Sequence, residues 1–276
     1  MGHPQFTGWR RCWEEGMENL RVVLVETRNP LNIGAVARAM SNFGAMKLRV
    51  VKPYEKAFRE AVSAVGAGAV LKGAEEFASL REAVADCALV VGTTAVGNRE
   101  VRQPLRGLEE AGGILRGAMK RGKVALVFGS EKRGLSNEDL SYCHWLLRVP
   151  TREEHRSMNL GQTVAVVLYE IRRVERQENG FTAEVAEDPQ RTQRRVKKGS
   201  VGEEMARMET VERVGEVLLA ALRASGYVGK RGERLAEEKL RRMLRRFAME
   251  EGDAEVLLGM MRKILWKVEK ELEVKK

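Results

Sequence analysis

Cysteine and histidine are scarce, at three residues each in 276. Cys12, Cys87 and Cys143 are widely spaced and odd in number, which argues against a disulfide framework. A reducing, cytoplasmic setting is the expectation. His144 follows Cys143 directly, which is not the spacing of a metal knuckle, so no metal site is expected. No stretch approaches the roughly 18 consecutive apolar residues that a membrane span needs. The first twenty residues lack the apolar core of a signal peptide. What remains is an ordinary globular composition, 43% hydrophobic and 32% charged, long enough for one or two domains.

Charge of one sign is also missing from most of the chain. The formal net charge is +10, yet residues 1–190 carry a net of only +3. Residues 191–276 hold 22 basic and 15 acidic side chains, a net of +7. A basic excess gathered in the last third fits a polyanionic partner, nucleic acid before membrane. A solvated helical surface rich in Lys and Arg explains it equally well.

Periodicity begins at Leu20. Residues 1–19 read as an extension without regular structure, and Met17, just ahead of the first strand, reads as the biological start. The continuous apolar runs LRVVLVE (20–26), KLRVV (47–51), CALVVGTT (87–94), KVALVFGS (123–130) and HWLLRVP (144–150) have the pattern of strands buried on both faces. Helical stretches lie between them, at about 33–42, 55–64, 75–85 and 108–119, and a long one follows at 159–173. The small-residue run 65–70 reads as a turn into a short strand. This alternation predicts an α/β domain over 20–176 with a mainly parallel sheet, whose ligands bind at the carboxyl ends of the strands. A polar, basic linker follows at 177–200. Then come three helical stretches at about 201–225, 231–249 and 253–273, a small all-helical C-terminal domain over 201–276. In KLRRMLRRF, Arg241, Arg242, Arg245 and Arg246 are read as one side of a helix, with Leu240, Met243, Leu244 and Phe247 on the other.

Familiar nucleotide motifs fail. Gly66 and Gly68 lack the third glycine of a dinucleotide fingerprint, since Leu71 stands there. Gly129 and Gly134 have P-loop spacing, but Leu135 occupies the lysine position. No G-x-S-x-G elbow is present.

Three segments carry a specific signal. NPLNIGAVARAM (29–40) follows the first strand and holds Asn32, Gly34 and Arg38. Asn32 is a candidate helix cap. LVFGSEKRGLSNEDL (126–140) ends a strand in a glycine-flanked loop, and Ser136 with Asp139 marks a helix start. VPTREEHRSMNLG (149–161) leads a strand into the long helix.

Together these segments resemble the SPOUT superfamily, in its TrmH-like RNA 2′-O-methyltransferase branch, over about 20–175. The first motif, N-x-G-[AS]-x-x-R, falls on Asn32 and Arg38. The second, F-G-x-E-x-x-G-L, falls on Phe128, Gly129, Glu131, Gly134 and Leu135. The third falls on Ser157, Met158, Asn159 and Leu160. The tail, with LRASGYV (222–228) and KLRRMLRRF, is similar to TrmJ-type tRNA methyltransferases, which act on the ribose of anticodon-loop nucleotide 32.

The resemblance implies a deep trefoil knot at the end of the α/β domain and a homodimer. It implies S-adenosyl-L-methionine as methyl donor and S-adenosyl-L-homocysteine as product. The cofactor would rest on Thr93, Thr94, Ala95, Gly129, Gly134, Val149, Ser157, Met158, Asn159 and Leu160. Catalysis would fall to Arg38, with Asn32 and Glu131 beside it. Arg38 is a poor general base, since a guanidinium keeps its proton to about pH 12 or above. Holding a phosphate and stabilising the developing alkoxide suits it better, in cis or across a dimer. Arg133, Arg241, Arg242, Arg245 and Arg246 are the candidates for RNA contact. A ribosomal RNA target and a catalytically silent RNA-binding member of the fold are the alternatives.

Overall fold

The computed structural model describes residues 16–54, 68–95, 103–152, 154, 157–178, 205–229 and 232–274. Seven strands form one sheet: β1 (Leu20–Val25), β2 (Leu48–Val51), β3 (Glu75–Phe77), β4 (Leu89–Thr93), β5 (Leu105–Gly107), β6 (Val124–Phe128) and β7 (Trp145–Arg148). Their order is β3-β2-β1-β6-β4-β7-β5, and every neighbouring pair is parallel. An all-parallel sheet must be covered on both faces, which explains why β1, β2 and β6 are buried along their whole length.

The helices of this domain are α1 (Pro30–Asn42), α2 (Gly68–Lys72), α3 (Leu80–Val84), α4 (Leu108–Met119), α5 (Asn137–Ser141) and α6 (Leu160–Glu178). One face of the sheet packs on α1, α4 and α6. Leu160, Val164, Val167, Leu168 and Ile171 of α6 all enter that core. The other face holds Val23, Val90, Val127 and Leu146 against α3 and α5.

Several local expectations are corrected. Helix α1 begins at Pro30 and is capped by Asn29, whose side chain accepts from the Leu31 N–H. Proline at the first helical position, where its missing N–H costs nothing, sets this start. Asn32 is therefore inside the helix and not its cap. Residues 68–72 are helical, not a strand. The stretch at 75–85 splits into the edge strand β3 and α3, which Ser79 caps by accepting from the Glu82 N–H. Strand β5 has no counterpart in the sequence pattern. Met17 is buried in the main core and Asn19 donates to the Met119 carbonyl, so the ordered domain starts before residue 20. The helix expected at 55–64, residues 1–15 and most of the linker (179–200) lie outside the described residues.

Three helices follow: α7 (Met208–Ala224), α8 (Glu233–Arg246) and α9 (Glu251–Val274). They share a small core of Val211, Val214, Leu244, Ala254 and Leu258. This unit is docked on the α/β domain. Met208 enters the second core cluster of the sheet, and its N–H donates to the Cys87 carbonyl at 3.0 Å.

The docking buries part of the basic side of α8. Arg241 and Arg245 are buried, 8% and 3% exposed, where a solvated RNA-binding face was expected. Arg241 stacks over the Tyr142 ring at 4.2 Å and donates to Ser141 Oγ and to Glu237. Arg245 pairs with Glu212. Both guanidiniums are committed to the interface between the two units. Arg246 is exposed, and Arg242 is half-buried beside Glu238.

Candidate active site

Strands β6, β4 and β7 are adjacent in the sheet, so the three loops leaving their carboxyl ends must converge. They enclose a cleft of about 580 Å³. That size lies within the range of small-molecule sites. All ten residues expected to hold the cofactor line it: Thr93, Thr94 and Ala95 after β4, Gly129 and Gly134 after β6, and Val149 with Ser157 to Leu160 after β7. Phe128, Leu135, Leu140 and Leu147 add apolar wall. Ser130, Lys132, Thr151 and Thr163 also line the cleft, though no motif in the sequence marks them.

The loop after β6 shows why its glycines are needed. Gly134 has φ +64°, the left-handed region, where a side chain is strained. Its N–H donates to the Ser130 carbonyl at 2.8 Å, which closes the loop back on itself. The closure is so tight that a Cβ on Gly129 would stand 2.1 Å from the Gly134 carbonyl carbon. Leu135 then drops into the core, and Ser136 opens α5 through a capping box with Asp139. The same closure holds Glu131 at the rim.

At that rim the three motifs join. The Asn32 side-chain N–H donates to Glu131 Oε1 at 2.8 Å. The Asn159 side-chain N–H donates to Asn32 Oδ1 at 2.9 Å. Asn159 Oδ1 accepts in turn from the Gly161 N–H at 2.9 Å, so it caps α6 as well. Helices α1 and α6 approach closely here, because Gly161 leaves room for Ala35.

Arg38 stands apart from this cluster. It is exposed on α1, six residues and about 240° around the helix from Asn32, and it does not line the cleft. The structure thus gathers Asn32, Glu131, Ser157 and Asn159 and leaves Arg38 on the outer face of the helix pair.

Thiol chemistry has no place in the site. Burial pushes the Cys87 thiol up to about 12 and raises Cys143 as well, so neither is a thiolate at neutral pH. A separate ionic cluster joins β2 to the turn ahead of β4. There Arg49 grips Asp86 through two N–H groups, at 2.5 and 3.0 Å. That hydrogen bond, helped by Lys123, holds the Asp86 carboxyl well below its usual range against the effect of burial. Among the described residues no group of His, Cys, Asp and Glu could hold a metal ion, and no helix is long and apolar enough to cross a membrane.

The chain is similar in sequence and fold to known proteins. Residues 19–169 match the sequence profile of the SpoU rRNA Methylase family. The chain is 34% identical over 251 residues to tRNA (cytidine/uridine-2'-O-)-methyltransferase TrmJ of Escherichia coli (strain K12), covering 90% of this chain and 96% of that one. Its fold superposes on the crystal structure of TrmJ from Z. mobilis ZM4 with TM-score 0.70 and 29% identity, covering 88% of this chain and 98% of that one. A probable methylase family protein from Haemophilus influenzae Rd KW20 gives TM-score 0.54 at 29% identity, covering 94% and 100%. With the profile spanning more than half of the chain and the similarity to TrmJ running through the helical tail, the chain belongs to the SpoU methylase family.

Proposed function

We propose that this chain transfers a methyl group from S-adenosyl-L-methionine to a ribose 2′-hydroxyl of tRNA, at anticodon-loop nucleotide 32. The observation that carries the reading is the cleft itself. Three strand-end loops converge on it, and the linked amides and carboxylate of Asn159, Asn32 and Glu131 lie at its rim. The TrmJ relatives, named for ribose methylation of tRNA cytidine and uridine, supply the substrate class. Nucleotide 32 comes from the resemblance of the tail to TrmJ-type enzymes.

The lining suits the cofactor. Phe128, Leu135, Leu147 and Leu160 offer apolar surface for adenine, while Thr93, Thr94 and Ser157 offer hydroxyls for the cofactor's polar groups. When bound, the cofactor supplies a sulfonium methyl, an electrophile that needs no further activation. The chain's task is then to align the ribose hydroxyl in line with that methyl and to favour the alkoxide that develops. Asn32, fixed by Glu131 and Asn159, orients the rim. Arg38 holds the target phosphate and stabilises the alkoxide. Its exposed position fits service at a homodimer interface, and the neighbouring exposed apolar residues Leu31 (79%) and Tyr169 (56%) support one on the α1–α6 face.

Ribosomal RNA is the second reading, favoured by the family's description as rRNA methylases. The test is incubation of the purified protein with radiolabelled S-adenosyl-L-methionine and either total tRNA or ribosomal RNA, followed by ribose-methylation mapping. Label in tRNA at nucleotide 32 is expected. Label confined to ribosomal RNA, or none in either, rejects the proposal.

A further inference from the structure

A second cleft of about 380 Å³ lies between α8 and the α/β domain. Its α8 wall is Lys239, Arg242 and Arg246, with Met243 beside them. At 100° per residue these three cations fall within an arc of about 60° and span about 10 Å of helix. Arg241 and Arg245 are turned away into the ion pairs with Glu212, so the docking of α8 sorts its basic residues into two sets. Lys239 and Arg246 are exposed and form no ion pair among the described residues, while Arg242 lies 3.6 Å from Glu238. Three positive charges against one carboxylate in a concave site attract a polyanion.

The opposite wall offers hydrogen-bond donors. Gln103 and His144 line it. His144 Nδ1 accepts from the Val90 N–H at 3.0 Å, which leaves the imidazole proton on Nε2. Gln103 Nε2 donates to the Leu140 carbonyl at 2.7 Å, and Leu140 also lines the candidate active-site cleft. The two clefts are therefore separated by the thickness of α5 and its flanks.

We infer that this basic cleft holds consecutive phosphates of the RNA strand whose ribose enters the active site. Lys239, Arg242 and Arg246 supply the charge, and Gln103 and His144 line the facing wall. The inference rests on the methyltransferase reading for the identity of the strand. It narrows the RNA-binding set of α8 to residues that the interface leaves available.

The test uses the full-length protein and unmodified tRNA transcript. It compares wild type with Lys239→Gln/Arg242→Gln/Arg246→Gln, and with a control of equal charge change on α9, Arg262→Gln/Lys263→Gln/Lys267→Gln. The cleft variant is expected to lower the slope of log affinity against log salt by about 2 to 3, since each phosphate that is no longer neutralised takes away about one. KM for tRNA should rise at least tenfold with kcat within about twofold, and cofactor affinity should stay unchanged. The α9 control should leave KM within about twofold. Should the triple variant unfold early, Lys239→Glu/Arg246→Glu at the two exposed positions gives the same readout. An unchanged slope and KM in the cleft variants, or an equal loss in the α9 control, overturns the inference while wild-type methyl transfer keeps the enzymatic reading. Wild type that binds tRNA through these residues but transfers no methyl keeps the cleft and overturns the enzymatic reading. Wild type that does not bind tRNA overturns both.

Discussion

Asn159 donates its side-chain amide to Asn32 across 127 residues of sequence, and it caps α6 with the same side chain's oxygen. One residue thereby fixes the start of a helix and the orientation of a second amide. Asn32 passes that orientation to Glu131. The linkage gives the α1 start, the β6 loop and the α6 start a shared geometry that none of them has alone.

Breaking the linkage should cost more in activity than in stability. Asn32→Ala removes one hydrogen bond on each side at a partly exposed site, a loss of about 1 kcal/mol in unfolding free energy. Misplaced rim groups in a preorganised site cost far more, on the order of 100-fold in methyl transfer. Denaturation and initial-rate measurements on the same preparation check this. A variant that keeps wild-type kcat/KM would remove Asn32 from the site.

Arg38→Ala should abolish methyl transfer and leave cofactor affinity within about twofold, because Arg38 does not line the candidate cleft. Leu31→Asp, on the same exposed stretch of α1, should weaken self-association and lower activity together if Arg38 works across a dimer. Calorimetry with the cofactor, sedimentation and methyl-transfer assays separate these effects. Normal turnover in Arg38→Ala sinks the assignment.

Glu212 is the counter-charge of the interface. Burial pulls the Arg245 guanidinium down to about 10, with Glu212 opposing that pull. Glu212→Ala leaves this charge buried without its partner, at a cost of about 3 kcal/mol or more. Replacing both, as Glu212→Leu/Arg245→Leu, should recover much of the loss, because two desolvated charges disappear together. Thermal unfolding of the two single variants and the double variant measures the coupling. A double variant as unstable as the sum of its singles would show that the pair does not hold the helical unit in place.

What is legible in the sequence follows from how strongly each element is constrained. The buried strands of the sheet centre and the apolar positions of α6 are readable, since burial on both faces or one stripe leaves a periodic trace. Strands β3 and β5 leave none: each has three residues at a sheet edge, and both are partly or fully exposed. Asn32 passes for a cap because an asparagine near a helix start fits either role, and Asn29–Pro30 is the better signal. The four arginines of α8 look equivalent because a helical wheel does not show where Glu212 and Tyr142 lie. The knot is implied by resemblance alone, since periodicity carries no information on threading. Ser130, Lys132, Thr151 and Thr163 reach the cleft only because β6, β4 and β7 are neighbours, and strand order is not written in local pattern.

His144 gives the fold a pH dependence on the acid side of neutrality. Burial, with the Arg245 charge adding to it, lowers its value from 6.5 to about 3. The unfolded chain therefore takes up a proton between pH 6.5 and 3 that the native state refuses. More protons on the unfolded side mean that stability falls as pH falls through this window, at up to about 1.4 kcal/mol per pH unit. Asp86 contributes acid loss only below its ordinary value of 3.8, outside most of that range. His144→Asn keeps an acceptor for the Val90 N–H and cannot titrate. Its unfolding free energy should fall less steeply than that of wild type between pH 6.5 and 4, by about the slope of one proton. Denaturant titrations at four or five pH values measure both slopes, and parallel curves would show that His144 is protonated in the native state.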